Sequence, residues 1–490
     1  MQQHNTNRKI VLHHIEIMYD DPVCRIEDIR MFIEPHRACK ISRSAFLSIA
    51  ILGSITLSLC SLAKAQSVWH LNCTGKQSVS KEGQLSAATL YQTPSPSTSV
   101  SEPYPAFGFD LGTSPTSFAS GSCSSVQPFF FSIAVPDGNY QVTLTLGGPA
   151  VSATTVRAES RRLFIHQMEV AAGKSRRVTF NVNVRSAAIS ARGSAPPSKV
   201  ALKPREMGAL DWDDKLTLEF NGNHPSVRSI SIQPIDHVPT LYLAGDSTVV
   251  DQDKEPWAAW GQMLPVFFGP RLSIANEAES GETIRSFVGE HRLAKILSTI
   301  RPGDYLMIQF GHNDQKPGNG YVPAATDFKT YLLQYITEAR AHGATPILVT
   351  PMNRRNFDAD GKIVQTLGDY PAVMREVAKQ QKLALIDLNA MSKTLFETMG
   401  ETGTLHAFVH YPANTFPGQT EELKDNTHFN AYGAYELARA IVQNIRDQKL
   451  PLARYLRLPI PPFDASHPDA FADWKLPPSP SVSAITPYGR

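Results

Sequence analysis

The second half of the chain alternates short, continuous apolar runs with longer segments whose apolar residues recur at helical spacing. The runs occupy residues 241–244, 305–308, 347–349 and 383–386. Because strands that are buried on both faces are apolar throughout, this alternation predicts an α/β fold, a parallel sheet covered on both faces by helices. The last helical segment has a single apolar face, formed by Ala434, Leu437, Ala438, Ile441, Val442 and Ile445.

The stretch from Ser67 to about Ile235 has a different period. Apolar and polar residues alternate over 140–146, 178–184 and 216–220, and Pro, Gly and Asn separate such segments. Alternation with period two indicates strands that bury one face, and turn residues between them indicate antiparallel pairing. We therefore expect an antiparallel β-sandwich ahead of the α/β domain.

The start of the chain follows neither pattern. Lys40 and Arg43 precede an apolar run over 45–60, and residues 63–65 (Ala-Lys-Ala) supply the small side chains of a cleavage site. This order predicts a secretory signal peptide that ends near Ala65, and hence a secreted or periplasmic protein. The run is shorter than the ~20 apolar residues of a membrane span, and a retained N-terminal anchor is the alternative. A translation start at Met31 would place the basic residues directly before the run.

These patterns divide the chain into four parts. We predict a leader with a signal peptide over 1–65, a β-sandwich over 66–236, an α/β domain over 237–456 and a proline-rich C-terminal tail over 457–490. The tail has no periodicity, and we expect it to pack across the surface. At about 200 residues, the α/β part is within the size range of an independently folding domain.

Charge argues against some classes of partner. Lys and Arg number 47, Asp and Glu number 45, and the formal net charge is +2. This balance gives no reason to expect nucleic acid or an anionic membrane as a partner. After signal cleavage we expect no stable membrane association, and we expect a monomer.

Removal of the leader would leave two cysteines, Cys73 and Cys123. Two cysteines in an exported chain indicate one disulfide, and two unpaired buried thiols are the alternative. The chain-entropy model assigns such a closure about 4 kcal/mol of stability.

Polar clusters lie at or near the ends of the predicted strands. Gly245, Asp246 and Ser247 follow the first strand, residues 311–314 (Gly-His-Asn-Asp) follow the strand near 305–310, and residues 425–428 (Asp-Asn-Thr-His) precede the last helix. In an open parallel sheet, the functional site lies beyond the carboxyl ends of the strands. We therefore expect these clusters to meet in one site.

Ser247 and His428 have the chemistry of a nucleophile and its base. A serine hydroxyl is a weak nucleophile until a base takes its proton, and Asp425 would hold the His428 ring in the required tautomer. Attack on an ester creates an oxyanion, whose candidate donors are the Asn313 side chain and the N–H groups of Ser247 and Gly281. Each motif alone is as compatible with a turn or a helix cap, but their order and placement together favour catalysis.

Other polar and aromatic residues point to simpler roles. His312 is predicted to be a loop residue rather than a second base, and Trp257 and Trp260 are predicted to be core residues. No His, Cys and Asp cluster has metal-site spacing, and no glycine-rich segment has nucleotide-binding form. We therefore expect neither a metal nor a cofactor.

Four sequence blocks resemble the SGNH (GDSL) hydrolase superfamily, and within it the rhamnogalacturonan acetylesterases. They are residues 244–249, 276–281 with Thr283, 310–314 and 425–429, and the likeness extends from about Pro239 to Leu450. The resemblance implies a flavodoxin-like three-layer α/β/α fold. For the site it implies that Ser247 is the nucleophile and that Asp425 and His428 complete the triad. It also implies that Gly281 and Asn313 are oxyanion donors.

The resemblance implies a secreted carbohydrate O-acetylesterase that deacetylates rhamnogalacturonan or pectin through an acyl-enzyme, with acetylated polysaccharide as its substrate. Alternatives are an SGNH esterase for acetylated xylan or for lipid and thioester substrates, and a noncatalytic sugar-binding protein with a relic site. The intact set of site residues argues against the last of these. The sandwich resembles galactose-binding-like domains by its pattern alone, and it could bind sugar or cover one wall of the cleft.

Overall fold

The computed structural model of the protein describes residues 68–74, 83–93, 106–190 and 198–487. The predicted leader over 1–65, with its signal peptide and the alternative start at Met31, lies outside the described residues. Residues 66–490 form one compact unit, and the finer division into sandwich, α/β domain and tail remains a prediction. None of the helices within the described ranges is long and apolar enough to cross a bilayer.

The N-terminal part is the antiparallel β-sandwich that the period-two pattern predicted. Side chains that alternate along a strand are buried between its two sheets, as Val142, Leu144 and Leu146 show with no exposed surface. The strands are β1 (Trp69–Cys73), β2 (Gly83–Leu85), β3 (Phe107–Asp110), β4 (Cys123–Ser124), β5 (Phe129–Ala134), β6 (Gly138–Leu146), β7 (Ser152–Ala158), β8 (Arg162–Val170), β9 (Arg176–Val184), β10 (Ala188–Ile189), β11 (Ser198–Lys199), β12 (Lys215–Asn223) and β13 (Ser226–Ile235).

One sheet of the sandwich has the strand order β2-β1-β13-β6-β9, with β4 also pairing β13, and the facing sheet has the order β3-β5-β12-β7-β8. The pairs in both sheets are antiparallel except β1 with β2, which run parallel. Strands β10 and β11 form a separate small pair beside the sandwich.

The second part contains the predicted parallel sheet. Its elements are β14 (Thr240–Gly245), α1 (Trp260–Met263), β15 (Ser273–Asn276), α2 (Ile284–Gly289), α3 (Arg292–Thr299), β16 (Tyr305–Gln309), α4 (Lys329–Ala341), β17 (Thr345–Val349), α5 (Tyr370–Gln381), β18 (Ala384–Ile386), α6 (Leu388–Thr404, interrupted at Gly400), β19 (Phe408–Tyr411), β20 (Leu423–Phe429) and α7 (Ala431–Asp447). Shorter helical turns are Ala119–Gly121, Pro204–Glu206, Leu210–Trp212, Leu264–Phe267, Ala324–Phe328, Pro451–Tyr455 and Phe471–Asp473.

The order of the parallel strands, β15-β14-β16-β17-β18, is the flavodoxin-like order 2-1-3-4-5. Side chains of β14 alternate between two cores. Leu241 and Leu243 pack in a core that includes α6 and α7, whereas Tyr242 and Ala244 pack in a core that includes α2, α4 and α5. The three-layer α/β/α fold class is therefore confirmed, although β15 was not predicted.

Buried arginines connect the sandwich to the α/β part. Arg162 at the start of β8 places its Nε 3.2 Å from Oδ2 of Asp251, and both side chains are fully buried. Arg185 after β9 places its Nε 3.4 Å from Oε2 of Glu277, which follows β15. A charge removed from water must be paired, so these contacts hold the two parts in one arrangement.

The C-terminal tail contacts both parts. The indole N–H of Trp257 donates to the carbonyl of Ser483 at 3.0 Å, and the hydroxyl of Ser479 donates to Glu219 of β12 at 2.8 Å. The tail thus connects the edge of the α/β part to the facing sheet of the sandwich.

A disulfide joins Cys73 of β1 to Cys123 of β4, with the two Cα atoms 5.5 Å apart and a sequence separation of 50. Both strands pair with β13, so the bond fixes two neighbours of one strand. We expect replacement of both cysteines by alanine to lower the free energy of unfolding by about 4 kcal/mol, because the unfolded chain gains loop entropy. Denaturant titration of the disulfide-bonded protein and of the variant would measure this change. Two free thiols at Cys73 and Cys123 in non-reduced peptides of protein from an oxidising compartment would contradict the prediction.

Candidate active site

Ser247 lies in the tight turn that follows β14. Its neighbour Asp246 holds this turn, because Oδ1 of Asp246 accepts from the N–H of Thr248 at 3.0 Å and from the Thr248 hydroxyl at 2.8 Å. A Cβ atom at Gly245 would lie only 2.5 Å from the Val249 side chain, so the close return of the chain requires glycine there. The turn presents the Ser247 hydroxyl to His428 from the carboxyl end of the strand.

Ser247, His428 and Asp425 form one hydrogen-bonded line. The Ser247 Oγ lies 2.8 Å from Nε2 of His428, and Nδ1 of His428 lies 2.9 Å from Oδ2 of Asp425. Oδ1 of Asp425 also accepts from the backbone N–H groups of Thr427 at 2.8 Å and His428 at 2.9 Å. All three side chains of the line are buried.

The charge of Asp425 fixes the orientation of the His428 ring. Burial of Asp425 disfavours its ionised form, but the hydrogen bonds and charge of His428 and the backbone N–H groups together lower its pKa to about 2. An ionised Asp425 accepts a hydrogen bond from the N–H of His428 Nδ1, so the other ring nitrogen, Nε2, can accept from the Ser247 hydroxyl. The arrangement can therefore activate a serine nucleophile.

The turns after β15 and β16 bring the other predicted residues to the same edge of the sheet. Gly281, with φ of +81°, follows β15, and the Asn313 amide donates to the carbonyl of Glu282 at 3.0 Å. The Gln252 amide donates to the carbonyl of Ser247 at 2.9 Å and lies 3.4 Å from the Ser280 hydroxyl. The three candidate oxyanion donors thus lie on three connected turns, and their catalytic roles remain predictions.

Asp314 and His312 are buried residues that contact these turns. Asp314 accepts from the N–H groups of Gly311 and Ile284, each at 2.8 Å, and thereby joins the turn after β16 to the start of α2. His312 lies in the turn, as predicted, and is fully buried with its Nδ1 3.5 Å from Oδ2 of Asp246. Burial lowers the pKa of His312, which favours a neutral ring beside the nucleophile turn.

Trp257 is a core residue, as predicted, but its contact with the triad was not predicted. Its ring contacts the His428 ring edge to face, with centroids 6.0 Å apart, and only 2% of its surface is exposed. Trp260 is a core residue as predicted, with its indole N–H donating to Gln309 at 2.9 Å. Nothing in the spacing of Trp257 relative to the polar clusters marks it as a neighbour of the base.

Two cations beside the triad were also missed. Arg354, in the turn after β17, donates to the carbonyl of His312 at 3.0 Å, and Lys316 lies in the turn that begins at Asn313. Both interact electrostatically with Asp246 and Asp425, and no carboxylate in the described ranges lies within ion-pair distance of either. Burial and the charge of Arg354 lower the pKa of Lys316 to about 8. Arg354 could have been found from the sequence, because it is one of the polar residues that follow the predicted strand β17.

This triad at the carboxyl edge of a flavodoxin-like sheet defines a serine esterase. The sequence profile of the GDSL-like lipase/acylhydrolase family matches residues 243–435. Rhamnogalacturonan acetylesterase RhgT of Bacillus subtilis (strain 168) is 42% identical over 218 residues, which are 44% of this chain and 93% of that protein. The chain therefore belongs to the GDSL-like lipase/acylhydrolase family.

Two further proteins are similar to this chain. The probable rhamnogalacturonan acetylesterase YesY of Bacillus subtilis (strain 168) is 36% identical over 216 residues, which cover 43% of this chain and 94% of that protein. The crystal structure of the Bacillus subtilis protein YxiM is 25% identical and covers 78% of this chain and 99% of that chain, with a TM-score of 0.42.

The Asn313 side chain is expected to donate a hydrogen bond to the oxyanion that forms in the transition state. We expect Asn313→Ala to lower kcat on a small acetyl ester by about 10²–10³ with little change in KM, because an oxyanion donor acts only after attack. Steady-state kinetics on 4-nitrophenyl acetate would measure both constants. Asn353→Ala is the matched control, because Asn353 is also a buried amide after a strand end and donates to the Asn389 carbonyl at 2.7 Å. An unchanged kcat in Asn313→Ala would make Asn313 a structural residue of the turn.

Proposed function

We propose that this protein is an exported carbohydrate O-acetylesterase that removes acetyl groups from rhamnogalacturonan. The observation that carries the proposal is the line from Ser247 through His428 to Asp425, with 2.8 and 2.9 Å between the bonded atoms. The similarity to RhgT, whose name gives it as a rhamnogalacturonan acetylesterase, supports the choice of substrate.

The reaction follows from the positions of these groups. His428 Nε2 takes the Ser247 proton while Oγ attacks the acetyl carbonyl, and the oxyanion accepts from the N–H groups of Ser247 and Gly281 and from the Asn313 amide. Collapse breaks the bond to the sugar oxygen, which takes the proton from His428. A water molecule, deprotonated by His428, then attacks the acetyl-serine. Collapse breaks the bond to Ser247 Oγ, which takes the proton back from His428, and acetate is released.

The two cations beside the triad favour an acidic polymer over a neutral one. Rhamnogalacturonan carries uronate carboxylates, whereas acetylated xylan offers few charges. Arg354 and Lys316 are half-buried and lack a carboxylate partner among the described residues, so a substrate carboxylate could pair with them. This charge supports rhamnogalacturonan over the alternatives of xylan and lipid esters.

Export is part of the proposal. The predicted signal peptide supports it, and so does the disulfide between Cys73 and Cys123, because disulfides persist mainly in oxidising compartments. The proposed location is therefore outside the cytoplasm, where polymeric substrates occur.

Ser247→Ala should abolish acetate release from acetylated rhamnogalacturonan, because the Ser247 hydroxyl forms the acyl-enzyme. Acetate would be measured from a panel that also contains acetylated xylan and long-chain 4-nitrophenyl esters, with circular dichroism to verify folding. Retention of more than a few per cent of the activity in Ser247→Ala would refute the assigned nucleophile. Faster turnover of the xylan or of the long-chain esters would refute the proposed substrate.

Charge recognition should depend on pH. A lysine is cationic below its pKa, so the contribution of Lys316 should be present below about pH 8 and lost above it. We expect Lys316→Gln to raise KM for the acidic polymer about 10-fold at pH 6.5, the equivalent of one charge-assisted hydrogen bond. KM for 4-nitrophenyl acetate should not change. Lys329→Gln, which removes a half-buried cation of α4 that pairs with Glu376, is the control. An equal rise in KM for the polymer and for 4-nitrophenyl acetate in Lys316→Gln would exclude recognition of a substrate carboxylate by Lys316.

A further inference from the structure

A short segment of the sandwich reaches the turn that carries Gly281. Residues 203–206 lie between β11 and β12, and two basic side chains of this segment extend toward residues 279–282 after β15. Lys203 donates to the Glu282 carboxylate, and Arg205 donates to Glu279 from Nε at 2.8 Å and from Nη2 at 2.6 Å. Each cation therefore pairs with a carboxylate on one side of Gly281.

Both cations also bind the same backbone carbonyl. Nζ of Lys203 lies 3.2 Å from the Ser280 oxygen, and Nη2 of Arg205 donates to that oxygen as well. Ser280 is buried, with 4% of its surface exposed. Two donors on one buried carbonyl hold its direction more firmly than a single hydrogen bond would.

The direction of the Ser280 carbonyl determines that of the Gly281 N–H, because the two groups belong to one peptide unit. In a trans peptide the C=O and N–H bonds point in opposite directions. The cis bonds in the described chain precede Pro256 and Pro459, so the Ser280–Gly281 bond is trans. The Gly281 N–H therefore points away from the two cations, and it donates to no acceptor among the described residues.

We propose that Lys203 and Arg205 are positioning residues for the oxyanion hole. By binding the Ser280 carbonyl they aim the Gly281 N–H at the position of the developing oxyanion, and their charge polarises that peptide so that its N–H is a stronger donor. The inference rests on the proposed role of Gly281 as a donor. It makes the sandwich a contributor to catalysis through the α/β part rather than only a covering wall.

The segment that carries the two cations is itself held rigidly. Glu206 accepts from the N–H of Lys203 at 2.8 Å and pairs with Nη2 of Arg292 at 2.5 Å. Arg292, at the start of α3, is fully buried and lies 3.8 Å from Glu282. The turn after β15, the segment of the sandwich and α3 therefore share one charge network, which can hold a donor in place before substrate arrives.

The test compares Lys203→Met and Arg205→Met with Lys295→Met in the full chain. Lys295 is the matched control because it also joins the α/β part to the sandwich, with Nζ 2.7 Å from Asp137 and 2.6 Å from the Ala188 carbonyl. It makes no contact with the turn at 279–282. Kinetics on 4-nitrophenyl acetate, inhibition by phenylboronic acid and thermal unfolding would be measured for each variant.

We expect each of the two variants to lower kcat about 10-fold with KM nearly unchanged, a smaller effect than the 10²–10³ of losing a donor outright. Affinity for phenylboronic acid, which forms a tetrahedral adduct on a serine, should fall in parallel. Arg205→Lys should recover part of kcat because it restores a cation near the carbonyl. Lys295→Met should lower the unfolding temperature without changing kcat.

Equal losses of kcat in Lys295→Met would show that contact between the two parts of the chain, and not the Ser280 carbonyl, controls activity. An unchanged kcat in Arg205→Met, which replaces a side chain that is 38% exposed, would also overturn the inference, and thermal unfolding would verify that this variant is folded. Ser247→Ala on the same ester separates the two proposals. If Ser247→Ala is inactive while Lys203→Met and Arg205→Met are fully active, only the positioning role is refuted. If Ser247→Ala is active, the proposed acyl-enzyme mechanism itself is refuted.

Discussion

The pairing of buried arginines from the sandwich with carboxylates of the α/β part is the interaction on which the rest of the site depends. Arg162 pairs with Asp251, only four residues after Ser247, and neither side chain has exposed surface. Asp251 also accepts from the Asn276 amide at 2.8 Å, and the same amide donates to the Val249 carbonyl at 2.7 Å. The nucleophile turn, the end of β15 and the sandwich are thus parts of one polar network, in which Arg162 also lies 3.7 Å from Asp211 of the sandwich.

Such a network suits a site whose nucleophile and candidate donors lie in turns. Asp425 and His428 lie in β20, but Ser247, Gly281 and Asn313 follow three different strands, and turns are generally more mobile than the elements that they connect. Electrostatic stabilisation of an oxyanion requires that the donors already point at the reacting atom before reaction. The sandwich contacts these turns at two places. Arg162 pairs with Asp251 after the nucleophile turn, and Lys203 and Arg205 bind the Ser280 carbonyl beside Gly281.

Sequence reasoning succeeded where burial leaves a periodic signal. The apolar runs of β14 and β16 and the amphipathic face of α7 predicted the sheet and its covering helices, and short motifs at their ends predicted the triad. It failed at β15, because Ser273–Asn276 is four residues long and polar at both ends, so it resembles a loop. It also missed the cations at 203 and 205, since an ion pair between residues 74 to 79 positions apart leaves no local pattern. Trp257 was assigned to the core, and only the fold places it against His428.

The same network bears on whether the α/β part is an independent domain. Its length is sufficient, but Asp251 and Glu277, which are buried in the intact protein, pair with Arg162 and Arg185 of the sandwich. Without the sandwich these guanidinium groups would be lost, and the carboxylates that they cover would face water. The sandwich and the α/β part accordingly belong to one compact unit, and the buried ion pairs between them connect the sandwich to the turns that follow β14 and β15.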